Sequence, residues 1–151
     1  MEIGREALEA IIEQVLIEKL AQLDREGKEF CGKVIKVAVP KVHVCEEDRM
    51  DTGNSAHKVY THDVFSLKES PRLGCGVMEM EGTTFDWTLN YDEIDYVIEG
   101  KLTIYNREGG SVTAGPGEII LIPKGSSIQF SVPEKARFLY ITYPADWAGQ
   151  Q

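Results

Sequence analysis

An all-β barrel or sandwich preceded by one helix is the fold class that three observations predict. Apolar residues recur at helical spacing only near the N-terminus. After Gly27 the chain turns to short runs rich in Val, Ile, Thr and Tyr, and pairs containing glycine or proline punctuate those runs at near-regular intervals. With 151 residues, 42% of them hydrophobic, the chain can build one sizeable core and is too short for two ordinary domains.

Taken in order, Leu8, Ile11, Ile12, Val15, Leu16, Leu20 and Leu23 recur at steps of three and four, and Glu9, Glu13, Gln14, Glu18 and Lys19 are read as the other face. This predicts an amphipathic helix of roughly four to five turns within residues 1–26, ended by Gly27. Strands are expected at 33–39, 41–45, 58–65, 75–81, 85–89, 94–98, 101–106, 111–114, 118–122, 127–132 and 137–143, making a barrel domain over 30–147. Glu99-Gly100, Gly109-Gly110, Gly115-Pro116-Gly117 and Lys124-Gly125 supply the tight turns, and 46–55 is the expected long surface loop.

Composition narrows the partners. Twenty-five acidic against 16 basic residues give a net charge of -9, which repels phosphate backbones and anionic membranes, so neither nucleic acid nor a membrane is expected. No apolar run approaches the ~18 residues of a membrane-spanning helix. The chain opens Met1-Glu2-Ile3-Gly4 rather than with a basic then apolar leader, so a soluble cytoplasmic protein is expected. Cys31, Cys45 and Cys75 are odd in number and share no redox or metal-ligand interval, and are read as reduced, core-filling thiols.

Over residues 82–132 the glycines and prolines fall where two cupin motifs place them. Gly82, Glu93 and Gly100 fit the first motif; Gly117, Pro123 and Gly125 fit the second. The chain therefore resembles the cupins, which implies a double-stranded β-helix, or jelly-roll barrel. The metal-binding histidines are missing. Their positions hold Trp87 and Leu89, or Asp86 and Thr88 on the longer spacing, and then Ile128; the asparagine position holds Val132. Cupin sites use imidazole nitrogens and one carboxylate for Fe, Mn, Ni or Zn, and Glu93 alone does not hold such an ion, because three or more protein ligands are normally needed. That argues against a metal-dependent dioxygenase or isomerase.

The run from Trp87 through Tyr91, Asp92, Glu93, Ile94 and Asp95, then Pro123-Lys124-Gly125-Ser126-Ser127-Ile128, Phe138-Leu139-Tyr140, Pro144 and Trp147, is similar to the ethanolamine-utilisation EutQ family across residues 70–147. Upstream, the resemblance covers only the helix, and the chain is similar to the shorter form of the family. The resemblance implies a protein of the bacterial ethanolamine microcompartment system with acetate kinase activity, using ATP and Mg²⁺ and binding no cofactor tightly. Under that reading Glu93, Tyr91 and Lys124 are the candidate catalytic residues, with Lys124 contacting phosphate and Glu93, helped by Asp95, as a Mg²⁺ ligand. Trp87, Asp95, Tyr96 and Tyr140 are the candidate ligand-binding residues.

Strand alternation places Glu93, Asp95 and Val97 on one face. The alternative is that these carboxylates are ordinary acids at a strand entrance. Lys124-Gly125-Ser126-Ser127 is not a phosphate-binding loop, for no glycine-rich stretch precedes it and no helix follows. His43, His57 and His62 are read as surface or packing residues, and the aromatic residues as core first and pocket second. The helix either docks on its own barrel or a twin subunit, or targets shell or cargo proteins of the microcompartment; a homodimer and a small anionic ligand complete the expected partners. The second functional reading is a non-catalytic binding or assembly protein recruited through that helix.

Overall fold

The computed structural model describes residues 3–151 without the side chains of 22–25, so Met1, Glu2 and the Leu23 side chain lie outside the described residues. The chain divides into two compact units, residues 1–43 and Val44–Gln151. In the first, helix α1 spans Arg5–Glu26. It stops at Gly27, whose φ of +57° is the left-handed conformation that ends many helices. A side chain there would also lie 2.6 Å from Ala38 Cβ, so glycine is required on two counts. One part of the helical reading needs correcting. Lys19 follows Val15 by four residues and Leu16 by three, so it lies within the apolar stripe, and Ile17 lies off it. Among the described residues no helix is long and apolar enough to cross a membrane.

Strands β1 (Glu29–Cys31) and β2 (Val34–Lys36) form a hairpin in this first unit. Gly32, at φ +59°, opens the two-residue loop as a type II′ turn demands. The strand expected at 33–39 shrinks to β2, and 41–45 is not a strand: a 3-10 turn covers Val39–Lys41, because Pro40 fixes φ and carries no N–H for a ladder. Cys31 and Cys45 are exposed and Cys75 is half-buried, so the thiols are not core filling.

The second unit is a seven-stranded antiparallel assembly of β3 (Lys58–Asp63), β4 (Gly74–Thr88), β5 (Asp92–Glu99), β6 (Leu102–Asn106), β7 (Ser111–Ala114), β8 (Ile119–Ile122) and β9 (Ser127–Tyr143). Two long strands organise it. The expected pairs 75–81 with 85–89 and 127–132 with 137–143 are each one continuous strand, β4 and β9. Their register breaks at Gly82 on β4 and skips Pro133 and Glu134 on β9. A positive-φ glycine and a residue lacking N–H bend the strands there rather than end them. Residues before the bend in β4 pair with β3 and with the second half of β9, which continues to β5 and β8. Beyond it, β4 pairs with the first half of β9, which continues to β6 and β7. The long strands thus pass from one layer to the other, and Val97, Phe138, Met80, Leu102, Ile104 and Phe130 from both layers join one core. This is the jelly-roll arrangement that the motifs implied.

Candidate active site

Strand β5 alternates as read: Glu93, Asp95 and Val97 are buried and Asp92, Ile94 and Tyr96 exposed. In the ladder Glu93 lies between Thr142 of β9 and Ile122 of β8, and Asp95 between Tyr140 and Ile120. The next strand over, β4, contributes Gly74 opposite Thr142 and Gly76 opposite Tyr140. A methyl group on Gly76 would overlap the Tyr140 ring and sit 2.6 Å from the His62 carbonyl oxygen. The missing side chain lets Tyr140 lean across β4 and donate its hydroxyl to Asp63 Oδ1 at 2.6 Å. Trp147, beyond the end of β9, donates its Nε1–H to the same oxygen at 3.2 Å.

Met50, Thr61, Met78, Trp87, Tyr91, Glu93, Phe130, Tyr140 and Trp147 surround a cavity with room for about one water molecule. Its wall is largely aromatic. Phe85 stacks on Phe130 at 5.3 Å between centroids behind Trp87, and Trp147 meets Tyr91 at 5.8 Å and Tyr140 at 5.9 Å. Trp87 donates its Nε1–H to the Tyr91 hydroxyl at 2.9 Å, and that hydroxyl hydrogen-bonds Glu93 in turn.

The electrostatics centre on two carboxyls. Asp95 is 0% exposed and Glu93 5%. Among the described residues no N–H or hydroxyl donor reaches either Asp95 oxygen, and the Glu93 carboxyl is its hydrogen-bond partner. Burial, followed by the neighbouring Glu93 charge, holds the Asp95 acid form well above the usual carboxylate range. Burial also raises Glu93, against the opposing hydrogen bonds from Asp95 and Tyr91. Both carboxyls therefore favour their acid forms: Asp95 keeps its proton and directs it to one Glu93 oxygen, and Glu93, the less strongly raised of the two, is the first to ionise as pH rises. Tyr91 and Tyr140 are pushed above their ordinary values, by burial first and then by the charges of Glu93 and Asp63 respectively.

Trp87, Tyr91, Glu93 and Tyr140 therefore meet at the cavity, with Asp95 directly behind Glu93. Two candidates do not join them. Tyr96 is 42% exposed on the outer face of β5, where the alternation that turned Glu93 inward had to put it. Lys124 is exposed in the β8–β9 turn, where its backbone N–H is bonded to Asp92 Oδ1 at 2.8 Å; its side chain does not line the cavity. The histidines also lie elsewhere. His43 is exposed, His57 bonds Thr52 and Asn54, and His62 pairs with Asp48 at 2.9 Å. At the cupin histidine positions Trp87 walls the cavity while Leu89 and Ile128 are buried apolar core. Among the described residues no three His, Cys, Asp or Glu side chains are grouped to hold a metal.

Residues 3–149 match the family described as ethanolamine utilisation protein EutQ. The chain belongs to that family. Acetate kinase EutQ of Clostridioides difficile is 53% identical over 152 residues, spanning 98% of this chain and 96% of that protein. Acetate kinase EutQ of Salmonella typhimurium is 42% identical over 95 residues, and there the match spans 63% of this chain and 41% of the relative. Among solved structures, that of the Clostridium difficile EutQ protein is 61% identical with a TM-score of 0.78, covering 81% of this chain and 88% of that one. The Schizosaccharomyces pombe Cnp3 cupin domain, at 15% identity and TM-score 0.54 over 74% of this chain and 77% of its own, shows the cupin fold.

Sequence reasoning missed Asp63, Met50, Thr61 and Met78 as neighbours of the site. For Tyr140 a signal existed in Gly74-Cys75-Gly76, since glycines alternating along a strand mark the close approach of a large neighbour on one face.

Proposed function

We propose that this chain is an acetate kinase of the ethanolamine utilisation system, transferring the γ-phosphoryl group of ATP to acetate in the barrel cavity. The observation that carries the reading is the 53% identity, over 98% of the chain, to a protein named acetate kinase. One acetate oxygen attacks the γ-phosphorus as the bond to the β,γ-bridging oxygen breaks. Its electron pair leaves with ADP, and acetyl phosphate forms. Total charge is the same on both sides and acetate is already ionised at neutral pH, so no general base is required. Glu93 has a different task. A buried carboxyl that carries a proton donates a hydrogen bond to a carboxylate, as a protonated acid does in an apolar site. The aromatic wall takes the acetate methyl and excludes water from the anhydride being made.

A magnesium ion held by the protein at Glu93 fits poorly, because the carboxyl is bonded to Asp95 and its cavity has room for about one water, whereas the ion keeps several of its own. Magnesium is instead carried in as the Mg·ATP substrate, where it neutralises the phosphate charges. Membership of the ethanolamine utilisation family supports the expected association with the microcompartment. The expected homodimer is supported by the exposed outer face of Ile94, Tyr96, Ile119 and Leu121 on β5 and β8.

The test is acetyl phosphate formation from Mg·ATP and acetate by wild type, Glu93→Gln and Glu93→Ala across pH 5.5–9. Wild-type KM for acetate rises with pH, up to about ten-fold per unit once Glu93 ionises. Gln, a permanent donor, removes that dependence, and Ala loses turnover while staying folded. Equal turnover in all three variants would take Glu93 out of the mechanism, and turnover no greater than a contaminant control in the wild type would end the acetate kinase reading.

A further inference from the structure

We propose that Trp147 is the gate and the specificity-determining residue of this cavity, restricting its carboxylate substrate to a two-carbon acid. The inference rests on the barrel cavity being the acetate site. Most lining residues are set in β3, β4, β5 or β9, whose ladders fix their Cα positions, and Tyr91 is 2% exposed and locked by its bond from Trp87. Met50 and Trp147 also lie outside the strands, but Met50 is tied to β3 by its backbone N–H, which donates to the Val59 carbonyl at 2.9 Å, whereas Trp147 follows the last strand and lines the cavity half-buried.

Its segment is latched to the barrel at two points. Indole Nε1 donates to Asp63 at 3.2 Å, and Asn90 Nδ2 donates to the Gln150 carbonyl at 3.0 Å. The remaining bonds of that segment are local, from Gly149 N–H and Gln150 Nε2 to Asp146 and from Gln150 N–H to the Trp147 carbonyl.

Acetate has four heavy atoms, and the cavity as it stands takes about one water. Entry therefore requires a wall to move, and the indole is the wall held by side-chain bonds rather than by a ladder. With the carboxylate oriented toward Glu93, the acyl end points to the aromatic side, where the indole packs edge-on to Tyr140 and tilted against Tyr91. Each added methylene meets that ring. Asp63 acts as a positioning residue, because its one oxygen holds both Tyr140 and Trp147.

The experiment compares kcat/KM for acetate, propionate and butyrate in wild type, Trp147→Ala, Trp147→Phe and Asp63→Ala with Mg·ATP. Trp147→Ala should raise the butyrate-to-acetate ratio by about ten-fold or more, a typical discrimination for one methylene in an apolar pocket. Phe, which keeps an aromatic cover but loses the bond to Asp63, and Asp63→Ala, which loses the same bond, should each shift the ratio the same way by less. A merely structural role would lower all three substrates together. A Trp147→Ala ratio within two-fold of wild type, with acetate turnover intact, overturns the gate; if Ala does not fold, Trp147→Leu takes its place. If the wild type makes no acetyl phosphate, the acetate kinase reading falls, and calorimetric affinities of acetate and butyrate for wild type and variant decide the gate: an unchanged preference rejects it.

Discussion

Replacing Asp95 by Asn tests the buried proton directly. In the folded chain Asp95 is fully buried with no donor other than the Glu93 carboxyl, and its acid form is favoured far beyond the usual carboxylate range. In the unfolded chain it ionises near the ordinary value of about 4. Between those two values the folded state holds a proton that the unfolded state has released, so wild-type stability falls as pH rises through that window. Each unit of separation costs about 1.4 kcal/mol by its upper end, equivalent to about 3–6 °C in midpoint for a chain of this size. Asn is nearly isosteric with the protonated acid, and its amide donates to Glu93 at every pH. Thermal melts of both proteins at pH 5, 7 and 8.5 should show the variant gaining on the wild type at each step. Taking the difference between the two cancels the contribution of groups that the substitution does not touch, such as Asp48, held below its ordinary value in both. A gap that does not change with pH would mean that Asp95 holds no proton, and the account of Glu93 as a hydrogen-bond donor would fail with it.

Gly76→Ala should destabilise by about 1–3 kcal/mol, because the new methyl overlaps Tyr140 and crowds the His62 carbonyl; urea unfolding reads the loss, and a neutral result would contradict the leaning Tyr140. Among the thiols, burial and then the Asp63 charge push Cys75 up to about 11, whereas Cys31 and Cys45 are exposed. Iodoacetamide at pH 8, followed by peptide mass spectrometry, should label Cys75 on the order of 100-fold more slowly than a thiol of ordinary acidity. Parity among the three would show that Cys75 is open to solvent.

Much of the fold was readable because short-range rules decide it. The glycines at 27, 100, 117 and 125 stand where the chain takes positive φ. The helix and the strand cores follow from residue spacing, and the missing cupin histidines could be named from the motif alone. Where the reading failed, neighbours had the deciding say. Gly82 and Pro133 look like strand ends locally, yet ladders on both sides carry β4 and β9 through them. Residues 41–45 carry apolar alternation but gain no strand partner.

For the site, alternation alone was enough to turn Glu93 and Asp95 inward together, and it also excluded Tyr96, once applied to every residue of β5. The sequence determined that Glu93, Asp95 and Val97 would share one face of a strand and that the cupin histidine positions would hold no imidazole. What surrounds that pair only the tertiary structure decided. Tyr140 reaches Asp63 across 77 residues of sequence and Trp147 reaches the same oxygen across 84. Contacts at that separation depend on strand register and on how two bent strands stack. A local pattern specifies which face a side chain takes, but the partner it meets there is chosen by the packing of the whole barrel.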